Sequence, residues 1–318
     1  MKQRWPRVVL ASLAAAFTLS AQAAWPDKPV VPYAAGGAAD ALARVVATEL
    51  GIRLKQQVVV ENKGGGGGTI GAQSVAQAAA DGYTFLYDAT SFAVNPSLFP
   101  KLGFSYTKDF APVSMVARIP TLLVVPATSP VNSVADLVRL ARAHPGKLSY
   151  ASAGNGGAAH LSGELFKQGH RIFMLHVPYK GGAPALTDVA GGQIDMMFSA
   201  VTTSGPLVRS GRLKAIATAF DRRIESMPEL PTVAEAGLPG FSAYEWNAIF
   251  APRGTPADIV NRMETEMRNV LSAPAVRDRL SAMGALPATA GAKELGAFVE
   301  AESAKWAAVI KASGIKLD

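Results

Sequence analysis

Cysteine is absent from this 318-residue chain. That excludes disulfides, thiolate nucleophiles and cysteine-ligated zinc or iron–sulfur sites. It does not identify the compartment, because an exported protein can simply do without thiols. Histidine is scarce: among His144, His160, His170 and His176, no two stand at the i, i+4 spacing that puts a pair of metal ligands on one helical face. No metal or other cofactor is therefore expected. The motifs G-x-S-x-G, H-E-x-x-H and G-x-x-x-x-G-K-[ST] are all missing, which leaves catalytic signatures thin. There is no basic run with interleaved aromatics, so no nucleic-acid partner is expected. The formal charge is +7, and Lys2, Arg4 and Arg7 supply three of those charges. No apolar stretch after Ser20 approaches the ~20 residues a membrane span needs.

The N-terminus carries a clear pattern. Those three basic residues precede an apolar stretch, Val8 to Ser20, and Ala21-Gln22-Ala23 then supplies small residues in an A-x-A arrangement. This is the layout of a secretory signal peptide, with cleavage expected after Ala23 and a periplasmic destination.

The rest alternates strand, small-residue turn and helix. Val30 to Tyr33 reads as a strand, Ala34 to Asp40 as a turn ending on a helix N-cap at Asp40, and Leu42, Val45, Val46 and Leu50 share one helical face. The segments Val58–Glu61, Tyr83–Tyr87 and Leu122–Val125 read as further strands. A second series follows the proline break at Pro126 to Pro130: strand Leu148–Ala151, turn Ser152–Gly157, helix Ala158–Gln168, strand Phe173–Val177 and strand Ile194–Phe198. Tyr244, Trp246 and Phe250 alternate with period two, as one face of a strand does. Alternating strands and helices predict parallel sheets covered on both faces, and the proline break predicts two α/β domains.

Two turns stand out. Ala35-Gly36-Gly37-Ala38-Ala39-Asp40 and Ser152-Ala153-Gly154-Asn155-Gly156-Gly157 each follow a strand and open a helix. A helix N-terminus offers unpaired N–H donors and a partial positive charge, and small residues let a ligand approach the backbone. One such turn on each domain would hold a carboxylate across a cleft without any arginine. The five-glycine run contains Gly66-Gly67-Gly68-Thr69-Ile70-Gly71, a G-x-G-x-x-G match with Asp88 about 20 residues on. Glu61-Asn62-Lys63 separates it from the preceding strand, so the turn is not the tight one a dinucleotide needs, and it reads instead as a mobile loop. His160, just inside the second helix, is placed either to line the cleft or to cap and pack. Lys180 is a candidate point charge there, against the default of a solvated lysine. Asp195 reads as a strand-end hydrogen-bonding residue.

These residues resemble a known family, the periplasmic Bug solute receptors of tripartite tricarboxylate transporters. The resemblance rests on Trp25-Pro26-Asp27-Lys28-Pro29, Ala34 to Asp40, Val59-Val60-Glu61-Asn62, Ile70-Gly71-Ala72, Asp81-Gly82-Tyr83-Thr84 and Asn95-Pro96-Ser97-Leu98. It continues through Asp109-Phe110-Ala111-Pro112-Val113, Tyr150 to Gly156, His176 to Gly181, Gly192-Gln193-Ile194-Asp195 and Pro231 to Gly237, and so covers essentially the whole mature chain.

The resemblance implies an α/β, two-lobed type II periplasmic-binding-protein fold with the ligand in the cleft between lobes. Residues 24–125 with 241–318 would form the first lobe and residues 126–240 the second, after a signal peptide at 1–23, with hinges near Pro126 and the Gly240–Tyr244 crossing. The family's carboxylate-holding turns map onto Ala35–Asp40 and Ser152–Gly157, and Thr90 and Ser199 follow strands whose ends face the cleft. Departures from the family pattern are Ala35 for proline, Ala38 for glycine, Ala39 for a hydroxyl residue, Gly157 and Ala158 where Ser or Thr is frequent, and Ser199 for aspartate. The implied partners are a small carboxylate (di- or tricarboxylate, acidic amino acid or aromatic acid) and the membrane components of a transporter, with the receptor itself a monomer and not an enzyme. The alternatives are a ligand-sensing receptor for a membrane signalling partner and an exported enzyme of small carboxylates using His160 or Asp195.

Overall fold

The computed structural model describes residues 25, 31–34 and 38–317. The signal segment and Ala35, Gly36 and Gly37 of the first turn lie outside these described residues. From its first strand the chain runs β1 (Val31–Ala34), α1 (Ala38–Leu54), α2 (Thr69–Ala76), β2 (Thr84–Ala89), α3 (Ser91–Leu98) and β3 (Phe110–Ile119). It continues through β4 (Thr121–Pro126), α4 (Val134–Ala143), β5 (Ser149–Ser152), α5 (Ala158–His170), β6 (Leu175–Pro178), α6 (Gly182–Ala190), β7 (Met196–Ala200), α7 (Val201–Arg209) and β8 (Leu213–Thr218). It ends with β9 (Glu245–Pro252), α8 (Ala257–Ser272), α9 (Pro274–Ala282), β10 (Leu286–Pro287) and α10 (Ala292–Ser313).

These strands form two sheets, ordered β1-β2-β9-β3-β10 and β6-β5-β7-β4-β8. Both sheets are mixed, which corrects the expectation of parallel sheets. β1 and β2 are parallel, but β9 runs antiparallel to both β2 and β3. In the second sheet β5 is parallel to β6 and β7, while β4 is antiparallel to β7 and β8. The reason is that β4 and β9 are the strands on which the chain enters a new sheet from the other one, so neither direction is set by a local strand–helix–strand unit.

The crossing point also differs from expectation. β3 ends at Ile119 and β4 begins at Thr121, so Pro120 alone joins the sheets. Leu122 to Val125, assigned from sequence to the first lobe, is the buried interior of the second sheet, each residue 0% exposed. Pro120 lacks an N–H for the ladder, and a break there costs no backbone bond.

Local chemistry explains the elements. Leu42, Val46 and Leu50 are the buried stripe of α1. Asp40 lies inside the first turn of α1 rather than at its cap, and pairs with Arg44 one turn on, 3.0 Å away. Ser133 caps α4 by accepting the Asp136 N–H. Tyr244, Trp246 and Phe250 are buried together on one face of β9 and its lead-in, where Phe250 stacks on Phe92 of α3 at 3.8 Å. Burial of each such large apolar side chain contributes about 1.5–3 kcal/mol. α10 packs on α3 and on α5, and Gln168 donates to the Val309 carbonyl and to Ser313 Oγ, which ties the two lobes at their base.

Candidate functional site

A cleft of about 420 Å³ opens between the two sheets. From the first lobe it is lined by Gly67, Ala89, Thr90, Ser91, Val94, Asn95, Leu98, Phe99 and Glu245; from the second by Asn155, Gly156, Gly157 and Ala158; and Leu317 closes one side. Two helices begin at its walls. β2 turns directly into α3 at Thr90, and the Ser152–Gly157 turn leads into α5. The N–H groups that open a helix lack an acceptor in a preceding turn, although in α3 the Ala93 N–H already donates to the Thr90 carbonyl at 3.1 Å. Among the described residues no Lys or Arg lines the cleft.

The glycine run, read from sequence as a mobile loop, contributes Gly67 to the cleft wall. It ends in a tight turn over Gly66–Gly68, where every residue has positive φ, and Asn95 Nδ2 holds it by donating to the Gly67 carbonyl (2.9 Å) and to Tyr106 Oη (2.9 Å). Gly67, Ser91, Asn95, Leu98, Phe99, Glu245 and Leu317 were not singled out from sequence as site residues. Of these, Asn95 and Leu98 carried a signal because both fall in a family-like stretch, and Gly67 because it lies in the G-x-G-x-x-G match.

The second turn is held from behind by a buried network. Ser152 is fully buried; its Oγ accepts the Gly154 N–H and lies 2.7 Å from His176 Nε2. His160 Nδ1 accepts the Gly156 N–H at 3.0 Å, so its ring is neutral with the proton on Nε2. The rings of His160 and His176 stack, and burial lowers both pKa values, that of His176 to about 4. Behind them, burial works to raise the Glu164 carboxyl, but hydrogen bonds from Lys167, Tyr150 and Ser313 outweigh it and hold the group below its ordinary value.

His160 therefore stands behind the cleft wall and positions it. The Gly154 and Gly156 N–H groups, expected to face a ligand, are engaged internally. Among the described residues, no hydrogen bond is made by the N–H groups of Asn155 and Gly157, and both residues line the cleft with Ala158. Within the expected stretch, Asn155 and Gly157 therefore keep amides available to a ligand, whereas Gly154 and Gly156 do not.

The remaining candidates divide. Thr90 lines the cleft, and its Oγ1 lies 3.4 Å from the Trp246 N–H. Ser199 is buried, bonded to Thr203 Oγ1 at 3.0 Å and outside the lining, as is Ala153. Lys180 is exposed and also outside it. Ala38 is the first residue of α1, and Ala39 and Asp40 do not line the described cleft. Asp195 accepts from Ser149 N–H and Oγ–H, and neither it nor His160 is in the cleft lining. Among the described residues there is no His, Asp and Glu cluster fit for a metal ion, and no helix long and apolar enough to cross a membrane.

Comparison with known proteins gives a consistent result. Residues 42–315 match the family described as "Tripartite tricarboxylate transporter family receptor" (TctC). Protein BugT of Bordetella pertussis is 35% identical over 312 residues, covering 98% of this chain and 96% of BugT. The solved structure of R. palustris Rpa4515 with adipate is 37% identical with a TM-score of 0.80, covering 92% of this chain and 99% of that one. MatC (Rpa3494) from Rhodopseudomonas palustris with bound malate is 32% identical with a TM-score of 0.73, covering 90% and 100%. A match this long, in the same order and on the same two-lobed type II architecture, means that the chain belongs to the Bug (TctC) family of periplasmic solute receptors.

Proposed function

We propose that this protein captures a small carboxylate in the periplasm and delivers it to the membrane components of a tripartite tricarboxylate-type transporter, without chemical turnover. The observation that carries this reading is that the N-termini of α3 and α5, one from each lobe, open into one cleft that no Lys or Arg among the described residues lines. Helix dipoles and free amides attract an anion there at little desolvation cost, since the donors are already fixed. The family's neighbours with adipate and malate support the ligand class. Export by a signal peptide cleaved after Ala23 completes the proposal, with Ala35–Asp40 supplying further donors at the start of α1 and closure occurring about Pro120 and the 240–244 crossing.

The test is a thermal-shift and turnover panel of mono-, di- and tricarboxylates, aromatic acids and acidic amino acids, each beside its fully amidated analogue. At a hundredfold excess over its dissociation constant a cognate acid should stabilise the fold by about 2.7 kcal/mol. Equal binding of acids and full amides, or conversion of an acid into product, would overturn the reading.

A further inference from the structure

Glu245 opens β9 and lines the cleft, yet no cation in the lining pairs with it, and its carboxyl makes no hydrogen bond among the described residues. Side chains alternate along a strand, so Glu245 shares its sheet face with Asn247. Asn247 is 2% exposed and its Oδ1 has no hydrogen-bond partner. Across the ladder Asn247 pairs with Ala89, itself a cleft-lining residue, although Asn247 stands behind the lining rather than in it. Glu245 is half-buried, and desolvation on the protein side raises its carboxyl above the ordinary value.

The cleft is therefore polarised. The Asn155–Ala158 wall presents N–H donors, whereas β9 presents the Glu245 carboxyl, to which no described residue donates. Acceptors left unpaired away from water are costly, and a ligand that donates to them removes that cost. A second carboxylate placed against Glu245 would instead add like-charge repulsion.

We propose that Glu245, supported by Asn247, sets ligand selectivity, and that it selects a monocarboxylate whose far end donates hydrogen bonds (a hydroxyl, primary amide or ammonium group) over the matching dicarboxylate. This rests on the carboxylate-receptor reading above. Calorimetric titration of the purified protein with adipate against 6-hydroxyhexanoate, adipic acid monoamide and 6-aminohexanoate, and of terephthalate against 4-carbamoylbenzoate, tests it. In at least one series the donor-ended member should bind tenfold or more tightly than its dicarboxylate, and the three donor types separate hydroxyl, amide and ammonium recognition. Glu245→Gln, whose amide also donates, should erase or invert that ratio; Glu245→Asp, one methylene shorter, should weaken the donor-ended ligand selectively. Dicarboxylates that match their donor-ended partners in the unaltered protein overturn the proposal without any variant, as does a ratio unchanged in Glu245→Gln. Acids that bind without discrimination reject only this role for Glu245, whereas a panel in which no acid binds rejects the carboxylate-receptor reading itself.

Discussion

The imidazole rings of His160 and His176 lie face to face, 3.6 Å between centroids and 12° from parallel. Two imidazolium ions cannot share that geometry, and burial holds both rings neutral, with His176 pushed down to about 4 and Lys167 adding a further push against protonation. Glu164, 3.9 Å from His160 Nε2, works in the opposite sense but does not prevail. A histidine whose folded pKa is depressed takes up protons more readily when unfolded. Its stabilising contribution is present above about 6.5 and is lost as pH falls toward 4. Urea unfolding of the protein at pH 7 and pH 5 should show this loss, and His176→Gln should flatten it. Identical pH slopes in the two proteins would show that the stacked pair is not its source.

Asp88 behaves with the opposite sign. It is 3% exposed, and its Oδ1 accepts from the Ala89 N–H and Ser91 Oγ–H while Oδ2 has no partner. Burial raises its pKa to about 6. The folded state therefore favours the protonated acid, and stability present below about 4 is lost as pH rises through 6. Asp88→Asn keeps the accepting oxygen and removes the charge. It should stabilise the protein by about 3 kcal/mol at pH 8 and by nothing measurable near pH 3.5, as read from denaturant midpoints. A variant no more stable than the parent at pH 8 would refute this.

Gly156 has φ +72°, and a Cβ there would meet Leu98 Cδ1 at 2.5 Å and Leu317 Cδ2 at 3.3 Å. Leu98 belongs to the opposite lobe, so bulk at 156 wedges the cleft. Gly156→Val should cost about 1–3 kcal/mol from backbone conformation alone and abolish the ligand-induced melting shift. Lys180→Ala, at an exposed residue outside the lining, should leave most of that shift. Loss of binding in Lys180→Ala alone would mean that a side-chain cation, not the backbone, holds the anion.

Asn95 is 3% exposed and pins the glycine turn through its bond to the Gly67 carbonyl. Asn95→Ala removes that bond and the one to Tyr106 Oη, with an expected loss of about 1–3 kcal/mol. Because Gly67 lines the cleft, the same change should also weaken ligand binding beyond what the stability loss explains. Calorimetry well below the variant's melting temperature checks this; an unchanged dissociation constant would make Asn95 purely structural.

Features set by neighbouring residues were legible without the fold. Ser133 caps its helix, Leu42, Val46 and Leu50 bury one helical stripe, and the Ser152–Gly157 turn opens α5 at the cleft, because period, capping and glycine conformation act over a few residues. Tertiary structure decided what depends on chain direction and distant pairing. Pro126 looked like the boundary because prolines cluster there, yet the chain changes sheets at Pro120, where a single residue suffices once β4 finds its partners in β7 and β8. The sequence left His160 open between lining the cleft and packing, and the fold decides for packing by bringing His176 against it. Glu245 carries no local signal at all. Its place at the cleft follows from the antiparallel pairing of β9 between β2 and β3, an arrangement joining residues more than a hundred positions apart, which short-range periodicity cannot encode.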